Sequence, residues 1–132
     1  MKEIVDTRFL VEHFVSADPN LVERARERMR EIRRTKRGVL PTIALAEFFA
    51  QVCRHGGQAK ARTLVRALLS SGIPLQPLTT SIALAAGAYR CSNPDVPLAD
   101  CIIAATAAEH RGLVISDDPH FRRLAKVRVD WI

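Results

Sequence analysis

Short apolar runs in this chain alternate with longer amphipathic stretches, and few folds accommodate that rhythm. Ile4-Val5, Val39-Leu40 and Leu113-Val114-Ile115 are too brief for helices and are uninterrupted by polar residues, as strands covered on both faces must be. The stretches between them carry apolar residues at helical spacing. Such alternation predicts an α/β domain built on a mainly parallel sheet of four to five strands. At 132 residues, with no linker, repeat or low-complexity segment, the chain is expected to form one domain over 1–132.

Residues 2–6 are expected as the first strand, followed by a helix over 7–15. Asp18-Pro19 is a cap followed by proline in the first helical position. It opens a helix to about residue 34, with Leu21, Val22, Ala25, Met29 and Ile32 as its inward stripe. Gly38 to Pro41 is brief and extended. Thr42 is expected to cap a helix carrying Leu45, Phe48, Phe49 and Val52 inward, ended by Gly56-Gly57. A helix over 58–70 turns Leu64, Val65, Leu68 and Leu69 inward and stops at Gly72. Pro74 and Pro77 confine a strand over 73–78 to the sheet edge. Helices over 79–90 and 98–111 follow, separated by a turn over 94–97, with Gly112 closing the second. A buried strand at 113–116, a short helix at 119–125 and a strand at 127–131 complete the chain.

No apolar run approaches the roughly 20 residues that span a bilayer. Met1 to Asp6 reaches a carboxylate too early for a signal peptide, so a cytoplasmic protein is expected. Cys53, Cys91 and Cys101 are odd in number and widely spaced, and are expected as buried free thiols. His13, His55, His110 and His120 form no His-x-x-x-His pair. Dinucleotide-binding glycine loops, phosphate-binding P-loops and Gly-x-Ser-x-Gly elbows are all missing from the sequence.

Net charge is +6, and the excess is uneven: Arg24, Arg26, Arg28, Arg30, Arg33, Arg34, Lys36 and Arg37 stand against Glu27 and Glu31. Such a surface attracts a polyanion through counterion release, which favours nucleic acid as partner. A solvated helix face, with Glu27 three residues from both Arg24 and Arg30, is the simpler reading of any single arginine.

Within this basic chain, four acidic residues occupy positions suited to a site. Asp6 and Asp118 follow apolar strands, at the rim where open α/β sheets bind ligands. Glu47 and Asp100 lie on apolar helices, where a carboxylate calls for a positive partner. Each also has a local explanation. Asp100 suits the first turn of a helix, and Glu47 could be the solvent-facing residue of its helix. Asp117 or Asp118 could form an Asx turn or cap while the other faces the crevice. Thr7 could cap the first helix and free Asp6. Small residues Ala104 and Ala107 or Ala108, further along the face of Asp100, predict close packing around it. Converging carboxylates repel one another unless a cation neutralises them. Oxygen-only ligation suits Mg²⁺ or Mn²⁺, which can activate water for attack on phosphorus.

Taken in order, these residues resemble the PIN-domain family, and within it the single-domain toxins of the VapC type. The segment Pro97-Leu98-Ala99-Asp100-Cys101-Ile102-Ile103-Ala104-Ala105-Thr106-Ala107 is the most specific part. Gly112 to Phe121, containing Ser116-Asp117-Asp118-Pro119-His120-Phe121, reinforces it, as do Ile4-Val5-Asp6-Thr7 and Leu45-Ala46-Glu47. The resemblance implies a three-layer α/β/α sandwich and a metal-dependent endoribonuclease in which Asp6, Glu47, Asp100 and Asp118 hold Mg²⁺ or Mn²⁺. Ser116 would orient the site, with Asp117 and Thr7 no closer than supporting positions. It also implies an RNA substrate, a homodimer and a cognate antitoxin of a type II toxin–antitoxin pair. Arg8 stands where the family often has a small hydroxyl residue, leaving open a contact with phosphate or with solvent. His120 stands where an aspartate is frequent. A non-catalytic RNA- or partner-binding module, and an RNA-processing nuclease outside a toxin–antitoxin pair, are the alternatives.

Overall fold

A computed structural model describes all 132 residues. Its sheet contains β1 (Glu3–Val5), β2 (Gly38–Pro41), β3 (Leu75–Gln76), β4 (Leu113–Ile115) and β5 (Arg128–Asp130). The order is β3-β2-β1-β4-β5, with every neighbouring pair parallel. Parallel neighbours need crossovers, and helices supply them. Helices α1 (Thr7–Val15) and α2 (Pro19–Thr35) join β1 to β2, and α3 (Thr42–Gly56) and α4 (Gln58–Leu69) join β2 to β3. Helices α5 (Thr80–Ser92) and α6 (Leu98–Glu109) carry the chain back across β1 to β4, and a 3-10 turn (Pro119–Arg123) leads to β5. The chain thus steps outward from β1 to β3, then reverses. Right-handed crossovers place the helices of the two directions on opposite faces, giving three layers. The reversal leaves a crevice beyond the C-terminal ends of β1 and β4.

The core gathers 28 buried apolar residues, and α6 lies deep within it: every residue from Asp100 to Ala107 is buried. Its alanines explain how. Ala104, Ala105 and Ala107 let α6 lie close to its neighbours, whereas Ala108 is exposed. Phe9, Phe48 and Phe121 are fully buried, each stabilising by about 1.5–3 kcal/mol. They sit beside Arg8, Glu47 and His120 in sequence, so the packed rings hold three segments of the crevice in place.

Several local expectations are corrected. Pro41, not Thr42, is the cap residue of α3, with no side-chain hydrogen bond, and Thr42 is already helical. Leu69 is 47% exposed, because it stands about 100° around α4 from buried Leu68. Helix α6 ends at Glu109, and the left-handed residue after it is Arg111 (φ 51°) rather than Gly112. Gly112 is required for a different reason: a Cβ there would collide with the carbonyl of Lys2 on the adjoining strand segment. Of the cysteines, Cys101 is buried and Cys53 half-buried, but Cys91 is exposed. Arg28 leaves the basic surface altogether, turning to Glu3 (2.7 Å) and Asp130 (2.9 Å). Glu27 joins no ion pair; Arg30 pairs with Glu23 and Arg34 with Glu31. No helix is long and apolar enough to cross a membrane.

Candidate metal centre

Pairing of β1 with β4 sets Val5 opposite Ile115, so the next residue of each strand emerges side by side. Those residues are Asp6 and Ser116. Ser116 Oγ donates to Asp6 Oδ2 at 2.6 Å and accepts from the Asp118 backbone N–H at 3.0 Å. One buried hydroxyl therefore fixes both the first carboxylate and the turn that carries the fourth. Asp6 itself is the N-cap of α1, with a long 3.4 Å contact from the Arg8 N–H. Thr7 is not the cap. Its hydroxyl instead donates to Glu47 Oε1 at 2.8 Å, drawing α3 toward the rim. Asp100, in the first turn of α6, is only 9% exposed.

The crevice is a cleft of about 170 Å³ lined by Asp6, Thr7, Arg8, Val11, Glu47, Gln51, Asp100 and Asp118. All four acids foreseen from the sequence line it. Burial and neighbouring charge act on two of them, Asp6 and Asp100. Burial pushes Asp6 up from 3.8 to about 7; the Ser116 hydrogen bond opposes this, and Asp100 adds to it. Asp100 is also raised, first by burial and then by Asp118, with His120 opposing and Glu47 contributing further. Asp118 performs a local duty as well, capping the 3-10 turn through the His120 N–H at 2.9 Å. Asp117 is the aspartate turned outward: Arg8 grips it with Nε at 2.9 Å and Nη2 at 3.0 Å. That pair holds the Asp117 carboxyl below its usual range, and Arg8 is engaged rather than free.

His120, which departs from the family pattern in sequence, stands against two of the acids. Its Nδ1 lies 2.9 Å from Asp100 Oδ2 and 3.1 Å from Asp118 Oδ1. Ligand atoms of Asp100, Asp118 and His120 all fall within 4.8 Å of one another, a grouping that Asp6 and Glu47 do not join. The available signal was its position two residues after Asp118, at the start of a proline-initiated turn. A cleft in which burial and neighbouring carboxylates hold Asp6 and Asp100 above their usual range fits a divalent cation, which would offset the repulsion that burial amplifies.

An acidic crevice at the switch point of a parallel α/β/α sandwich defines the class of this protein. The PIN-domain family profile matches residues 4–127, and the chain belongs to that family. A comparison with curated proteins found no significant match. Among solved structures, the chain is similar to DNA-bound VapBC from Salmonella typhimurium (TM-score 0.81, 19% identity, covering 99% of this chain and 98% of that one). It is similar to VapBC2 from Rickettsia felis bound to a promoter DNA fragment (TM-score 0.79, 14% identity, covering 100% and 99%). It also resembles Mycobacterium tuberculosis VapC20, described as a Sarcin-Ricin loop cleaving toxin (TM-score 0.72, 16% identity, covering 96% and 99%). At these identities the likeness is one of fold: the chain folds as VapC toxins do.

Proposed function

We propose that this protein is a Mg²⁺- or Mn²⁺-dependent endoribonuclease acting as the toxin of a type II toxin–antitoxin pair. The observation that carries the reading is the convergence of Asp6, Glu47, Asp100 and Asp118 on one cleft. These four side chains would hold the ion. When bound, such an ion supplies an activated water and stabilisation of the leaving oxygen. The chain's own residues prepare the place. Ser116 orients Asp6, Thr7 orients Glu47, and the close-packed alanines of α6 keep Asp100 shielded from bulk water.

The likeness to VapBC complexes supports a cognate antitoxin partner, and a cytoplasmic location goes with that role. A homodimer is supported by α5, where Leu84 is 72% exposed among exposed alanines. RNA as substrate accords with the basic surface. Arg30, Arg33, Arg34 and Lys36 line a hollow of about 600 Å³ that also includes Gly38, the first residue of β2. Because β2 runs parallel to β1, that hollow lies at the end of the sheet opposite the acidic cleft. Its position favours a second reading, RNA binding without cleavage, more than any feature of the cleft does.

Purified protein incubated with RNA separates the two. Cleavage with Mg²⁺ or Mn²⁺, lost in chelator and in Asp100→Asn, is the expected result. RNA binding that persists in chelator without any cleavage by the wild type would leave the binding-module reading standing.

A further inference from the structure

The local sequence leaves His120 little freedom. Pro119 opens the 3-10 turn, the Asp118 side chain caps it through the His120 N–H, and Phe121 is buried with no exposure. The backbone that carries the imidazole is therefore fixed on both sides. Its ring reaches Asp100 and Asp118 from the 3-10 turn, outside the walls of the cleft that Asp6 and Glu47 help to form. Adjacent ligands of an octahedral ion with bonds of about 2.1 Å stand about 3 Å apart. The Nδ1 separations of 2.9 Å and 3.1 Å from the two carboxylate oxygens meet that requirement. Neither Asp6 nor Glu47 is as close to this pair, since their carboxylates are drawn to Ser116 and Thr7.

We infer that His120 Nδ1 is a ligand to the divalent ion held by Asp100 and Asp118, and that this nitrogen selects Mn²⁺ over Mg²⁺. The inference rests on the reading of the cleft as a cation site. Mg²⁺ prefers an all-oxygen shell and retains its waters, whereas imidazole is a good donor to first-row transition ions. One nitrogen among carboxylate oxygens therefore tilts the site toward Mn²⁺ without closing it to Mg²⁺. His120 is 35% exposed at the side chain, so the ring is not sealed from solvent.

Calorimetric titration of the metal-free full chain with Mn²⁺ or Mg²⁺ alone, for wild type, His120→Ala and Asp100→Asn, tests this. Wild type is expected to bind Mn²⁺ at least about tenfold more tightly than Mg²⁺. His120→Ala is expected to lose about tenfold or more of its Mn²⁺ affinity, with Mg²⁺ affinity changing much less. Pulsed electron paramagnetic resonance of Mn²⁺ on the wild type reads the ligand directly, through coupling to a directly bound ¹⁴N, and is independent of how the variant folds. Bound Mn²⁺ without such coupling overturns the inference. Equal Mn²⁺ affinity in wild type and His120→Ala, with loss in Asp100→Asn, overturns it while leaving the cation site intact. Absence of binding by the wild type for either ion removes the site and the inference together.

Discussion

Asp6→Asn should stabilise the metal-free protein, although it removes a proposed ligand. A carboxyl moved from 3.8 to about 7 by burial binds its proton more tightly in the folded chain than in the unfolded one. Between those pH values the folded state holds more protons, so stability falls as pH rises. The contribution is complete below the unfolded value and has been lost once pH passes about 7. The full difference corresponds to about 4 kcal/mol, an upper bound for a group whose neighbours titrate with it. Asparagine has nearly the shape of the protonated acid. Its oxygen can accept from Ser116 Oγ while its amide faces the remaining carboxylates. Urea unfolding in EDTA at pH 4 and pH 8 should therefore show nearly equal wild-type and Asp6→Asn stabilities at the lower pH. At pH 8 the variant should be more stable by about 2–4 kcal/mol. Adding Mn²⁺ should reverse the order, because the wild type keeps all four carboxylates and regains more stability by mass action than the variant. A variant no more stable than wild type at pH 8 in EDTA would refute the argument that a desolvated carboxylate strains the fold.

Three further outcomes follow from particular contacts. Ser116→Ala removes the donor to Asp6 and the acceptor for the Asp118 N–H; carboxyl ¹³C titration should show Asp6 protonating at still higher pH, and Mn²⁺ should bind more weakly. Arg28→Met leaves Glu3, 8% exposed, without its cation, and should destabilise by about 3 kcal/mol in denaturant unfolding. The double variant Glu3→Gln/Arg28→Met should recover part of that loss. Gly112→Ala forces a methyl against the Lys2 carbonyl and should destabilise by about 1–3 kcal/mol; an unchanged Tm would show that the segment leading into β1 yields more readily than its packing implies.

Local pattern carried much of this fold because strand and helix periods leave different marks. Ile4-Val5 and Leu113-Val114-Ile115 could be recognised as covered strands, and Ala25, Met29 and Ile32 as one helical stripe, without knowing what they touch. Caps were less legible. Thr42 has the right chemistry for a cap, yet the chain enters α3 one residue earlier; Thr7 has it too, but Glu47 takes its hydroxyl. The second choice depends on a group forty residues away in sequence.

Sequence alone determined that Asp6, Glu47, Asp100 and Asp118 stand at rim and helix positions where a carboxylate needs an explanation, because those positions follow from short-range periodicity. Tertiary structure decided the rest. The β1–β4 register brought Ser116 to Asp6, the 3-10 turn delivered His120 to Asp100 and Asp118, and Arg8 was matched with Asp117 over Asp118. Partner choices of that kind are set by distances of a few ångströms between segments as far as 110 residues apart, which no local pattern encodes.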